Sequence, residues 1–68
     1  MGKKNLKALG NRIKQLREKR GLIQAELAVI VSVSTGYIGS IEQGLRYPSL
    51  RLLEKLARAL KVPLKELL

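Results

Sequence analysis

The chain has 68 residues, with 14 Lys and Arg against 5 acidic residues, and a net charge of +9. One domain fits that length, and a domain so small buries only about 60% of the surface its unfolded chain exposes. The absence of Cys and His excludes a disulfide framework, thiolate chemistry, and the commonest general base and metal ligand.

Leu6, Leu9, Ile13 and Leu16 recur at spacings of three and four, which predicts an amphipathic first helix over about 5–20. Lys and Arg fill its other face, and Gly21 supplies a C-terminal stop. Gly10 lies inside the pattern and costs about 1 kcal/mol relative to Ala. Residues 1–8 therefore have two readings. They open the first helix, or they form a basic N-terminal arm ahead of a domain spanning 9–68.

A second helix is expected over 24–31. Its Val29-Ile30-Val31 run, with Val33 beyond it, has strand propensity. No second strand-like run exists to pair with it, so helix is retained and Val29 and Ile30 are expected to be partly exposed. A polar turn at 32–34 follows. Ser34 is a natural N-cap for a third helix over 35–43, which Gly44 ends. Two helices joined by a three-to-four-residue turn make a helix-turn-helix. Ser49 caps a fourth helix over 50–61. Its Leu50, Leu52, Leu53, Leu56, Ala57, Ala59 and Leu60 cover more than one face, which predicts a central place in the core. Pro63 suits the first position of a short fifth helix over 63–68.

The order Gln24-Ala25-Glu26-Leu27-Ala28, Val33-Ser34, Ile38, Ile41-Glu42, Gly44 and Pro48-Ser49-Leu50 resembles the Cro/lambda-repressor (Xre) type of helix-turn-helix regulator. The likeness extends from about residue 8 to 68. It implies an all-α, compact five-helix fold in which the third helix, about 35–43, enters the DNA major groove. It also implies site residues. Thr35, Gly36 and Ser40 correspond to positions that contact base edges, although Gly36 has no side chain with which to read one. Gln24, Tyr37, Gln43 and Arg46 correspond to phosphate-contacting positions; for Gln24 a simple helix start is the alternative, and for Tyr37 a surface or packing role. Arg17 and Glu42 correspond to an ion pair linking the first helix to the third, with two solvated charges as the alternative. The sequence departs from the family at Ile23, where Ser or Thr is common before the second helix, and at Leu45, where a basic residue is common. Ser32 stands where Gly is usual, at a cost on the order of 1 kcal/mol if the backbone there is left-handed.

The charge is unevenly distributed. Eight basic residues lie in the first twenty, six lie from Arg46 onward, and none lies from Gly21 to Leu45. A domain this basic attracts polyanions. The flanks are therefore expected to hold phosphates while uncharged polar groups read bases. With two aromatics, Tyr37 and Tyr47, the chain has no stacking platform for single-stranded RNA.

The function expected is sequence-specific binding of double-stranded DNA by a cytoplasmic transcriptional regulator, a repressor. A protein-interaction or antitoxin module built on the same fold is the alternative. No enzyme activity, cofactor, metal, small-molecule ligand or membrane association is expected. One copy of the third helix offers few short polar readers, so a homodimer is expected. Leu64, Leu67 and Leu68 are candidates for its interface, or else for sealing the core.

Overall fold

A computed structural model describes residues 5–68. Among them the chain forms α1 (Leu6–Lys19), α2 (Gln24–Val31), α3 (Thr35–Glu42), α4 (Leu50–Leu60) and a closing 3₁₀ turn (Leu64–Leu67). Lys3 and Lys4, in the expected basic arm, lie outside the described residues, whereas Leu6–Ala8 belong to α1.

Local chemistry sets most boundaries. The Asn5 side chain accepts a hydrogen bond from the Ala8 amide and starts α1, while Gly21 at φ +73° follows its end. The Ser34 and Ser49 hydroxyls accept from the amides of Tyr37 and Leu52 and start α3 and α4. Gly44 turns the chain at φ +78° after α3. Ile23 has no cap to offer α2, but the Glu26 carboxylate accepts from the Ile23 amide at 2.9 Å, the return half of a capping box.

Leu9 and Ile13 of α1 meet Leu27, Ala28 and Val31 of α2, Ile38 and Ile41 of α3, and Leu52, Leu53, Leu56, Ala57 and Leu60 of α4 in one core. α1 packs on α3, and α2 packs on both α3 and α4. Gly10 sits at the α1–α3 crossing. A Cβ there would stand 2.4 Å from the Ile41 carbonyl oxygen and 2.6 Å from that of Glu42. This residue does not mark a helix start; it lets two backbones touch.

Three expectations change. The fifth helix is a 3₁₀ turn, with Pro63 as its cap rather than its first residue. Lys61 ends α4 in the left-handed conformation, and the few residues left suit the tighter helix, which occurs in short pieces. α4 is not apolar on more than one face: Leu50 is 59% exposed, and the buried residues fall on one side. Leu67 belongs to the core at 4% exposure. It closes the open end of the fold beside α4, so it is unavailable as a dimer contact.

Candidate nucleic-acid interface

The interface is built on an α3 that the fold holds by its inner face. Ile38, Gly39, Ile41 and Glu42 point inward, and Thr35, Gly36 and Gln43 are exposed. Thr35 opens the helix immediately after the Ser34 cap. Gly36 faces open space, since a Cβ there would meet nothing within 4 Å. Ser40 is half-buried, and its hydroxyl donates to the Gly36 carbonyl at 3.1 Å. With that bond in place it can still accept from a base amino group, but it can donate to a base only by releasing the bond.

Glu42 anchors α3. Arg17 Nε donates to its Oε2 at 2.6 Å, and Arg17 Nη2 donates to its Oε1 at 3.0 Å. Both side chains are nearly sealed from solvent. Arg17 Nη1 donates to the Leu22 carbonyl at 2.8 Å, which ties the α1–α2 turn to the same group. Hydrogen bonding to Glu42 is the main reason the Arg17 pKa is raised. The guanidinium therefore keeps its charge although burial opposes it.

Gln24 completes the network: its Nε2 donates to Glu42 Oε1 at 2.9 Å. Nothing in the sequence announces this bond, which spans 18 positions. Gln24 and Gln43 also converge over α3, their side-chain atoms lying 3.8–4.0 Å from where a Cβ on Gly39 would stand. The first residue of α2 and the C-cap of α3 therefore present two amides on one surface.

Arg46 lies over the Tyr37 ring, 5.6 Å from its centroid, a cation–π distance. Tyr37 is half-buried and packed against the core, and it lines a surface opening together with Val31, Val33 and Leu52. The structure thus brings Gln24, Gln43 and α3 together, and Tyr37 with Arg46. It does not bring Leu64, Leu67 and Leu68 into one patch: the first is half-buried, the second buried and the third 71% exposed.

The turn between α2 and α3 carries the expected strain. Ser32 is left-handed at φ +62°. Two further contacts escaped the sequence reading: Arg12 pairs with Glu66, and Arg20 Nε donates to the Leu60 carbonyl at 3.0 Å. The first links α1 to the closing 3₁₀ turn and the second links the C-cap of α1 to the end of α4, and local pattern carries no signal for such distant pairs.

The chain is 41% identical over 61 residues to the HTH-type transcriptional regulator SinR of Bacillus subtilis, an alignment covering 88% of this chain and 55% of SinR. It therefore spans about half the length of that relative. Its fold is similar to the restriction-modification controller protein C.AhdI from Aeromonas hydrophila, with a TM-score of 0.88 and 38% identity over 93% of this chain and 96% of that one. It is also similar to the crystal structure of SinR, the master regulator for biofilm formation, in complex with DNA. There the TM-score is 0.82 and the identity 40%, over 87% of this chain and 95% of that one. The helix-turn-helix family model HTH_3 matches residues 13–67, and the chain belongs to that helix-turn-helix family.

Proposed function

We propose that this chain is the sequence-specific, double-stranded DNA-binding unit of a cytoplasmic transcriptional repressor. The observation that carries the reading is the division of α3: its inner face is fixed by Ile38, Ile41 and the Glu42 ion pair, while Thr35, Gly36 and Gln43 stand free on its outer face. Such a helix enters a major groove without costing the core anything. Basic residues on both flanks of the helix-turn-helix supply phosphate attraction, and SinR, a relative, is seen bound to DNA.

Thr35 and Ser40 read base edges, with the Thr35 methyl suited to a thymine methyl. Gln24 and Gln43 grip phosphates through their amides, and Arg46 through its guanidinium, with Tyr37 beside it. Selection of bound duplexes from a random pool tests this reading. A defined motif is expected, and recovery of no preferred sequence would defeat it. Arg46→Ala should flatten the log–log salt dependence by about 0.9 and weaken all sequences alike. Thr35→Ala should instead cost about 1–3 kcal/mol at one base pair and spare non-specific binding.

A further inference from the structure

Between α2 and α4 runs an open groove lined by none of the residues assigned to base reading. One opening is lined by Ile30, Ser32, Lys55, Arg58 and Ala59. A second, lined in part by Val33, Tyr37, Arg51 and Leu52, shares Ser32 and Lys55 with the first. Ser32, at the strained turn, and Lys55 thus border both openings. One wall is apolar, with Ile30, Val33 and Tyr37. The other carries Arg51, Lys55 and Arg58, spaced four and three apart along the exposed side of α4.

The residues at this groove are unfavourable for the isolated domain. Ile30 is 55% exposed. It is a β-branched residue in a helix of eight residues, so it lowers the helix propensity and gains little from burial. No carboxylate pairs with Arg51, Lys55 or Arg58 among the described residues. An apolar strip beside a row of unpaired cations is complementary to a segment that is apolar on one side and acidic on the other.

A second copy of this chain does not fit that description. Of its five Glu residues, Glu42 is buried with Arg17, Glu66 pairs with Arg12, and Glu26 caps α2. Glu18 on α1 and Glu54 on α4 remain, and they form no acidic face. We propose that the α2–α4 groove docks an acidic amphipathic helix of a different protein. Its apolar side chains lie against Ile30, Val33 and Tyr37, and its carboxylates at helical spacing face Arg51, Lys55 and Arg58. The mode is a helix in a groove, with anchors at i, i+3, i+4 and i+7.

The test uses the whole chain and a synthetic peptide of about 16 residues, long enough to hold a helix. The peptide has Leu along one face and Glu along its flank. Its partner probe is a shuffled peptide of the same composition and charge. Amide chemical shifts at Ile30, Ser32, Lys55, Arg58 and Ala59 should move with the ordered peptide. The shuffled peptide should bind about tenfold more weakly, a difference of about 1.4 kcal/mol. Ile30→Gln and Lys55→Glu should each reduce binding by a similar factor with an unchanged melting temperature, since both side chains are exposed. Equal binding of the two peptides, or shifts confined to the basic face of α1, would overturn the proposal. So would a DNA duplex that perturbs the groove resonances in preference to the peptide, since the cations would then be phosphate contacts.

Discussion

Glu42 shows how much one residue can organise in so small a protein. Its carboxylate accepts two hydrogen bonds from Arg17 and one from Gln24, out of reach of water. Removing it leaves the Arg17 charge buried without a partner. Glu42→Ala should therefore cost about 3–5 kcal/mol, a large share of the total stability of such a domain. Thermal melting would show this, and a change of only a degree or two would mean the pair contributes little. Because the Arg17 pKa is raised in the fold, its stabilisation is complete below the ordinary arginine range. It fades only as pH rises through the folded value, so neutral and mildly alkaline melts should coincide as far as Arg17 is concerned. Ser32 carries an opposite sign: a left-handed Ser at φ +62° is strained where Gly is not. Ser32→Gly should raise stability by about 1 kcal/mol, or roughly 4–8 °C in Tm. No rise would mean that the added freedom of Gly in the unfolded chain cancels the gain.

At the scale of helices, Gly10 and Gly36 look alike in sequence but have opposite surroundings. A Cβ at Gly10 would strike two carbonyls of α3, whereas one at Gly36 meets open space. Gly10→Ala should force α1 and α3 apart and cost about 3 kcal/mol. Gly36→Ala should strengthen α3 by about 1 kcal/mol. Paired denaturant titrations would check the two signs, and a shared sign would contradict this account of the α1–α3 crossing. Helix positions were legible from the sequence to within a residue or so because Ser34, Ser49, Gly21 and Gly44 act on their own neighbourhoods. The tight approach that requires Gly10 was not legible, because it depends on a helix thirty positions away in sequence. The orientation of α4 was misread for a related reason. Leu50 and Leu52 carry the same hydrophobicity, and only the arrival of α2 and the 3₁₀ turn decides which is covered. For the site, the family pattern placed Arg17 against Glu42, but the Gln24 bond to the same carboxylate arises only in the folded chain.

For the molecule as a whole, the proposed DNA reading requires more contact than one α3 provides. A two-fold dimer would place two copies about 34–36 Å apart, one turn of B-DNA. With Leu67 inside the core, the apolar residue left free at the C-terminal end is Leu68, beside a half-buried Leu64. Leu68→Glu should leave melting unchanged and weaken self-association. Sedimentation at micromolar concentration and a footprint on the selected duplex provide the check. A monomer that protects a single non-palindromic half-site would rule out the symmetric arrangement.

The free outer face of α3 has a consequence for engineering. Thr35, Gly36 and Gln43 are exposed, and the caps, core and ion pair that hold the helix come from Ser34, Ile38, Ile41 and Glu42. Their identities therefore leave the core untouched, and only position 36 also sets helix propensity. A library randomised at those three positions would consist mostly of folded members, with stability differing chiefly through position 36. The scaffold would serve as a retargetable cassette, with Gly36 offering the one site where a longer side chain enters unoccupied space and the helix gains propensity as it does so.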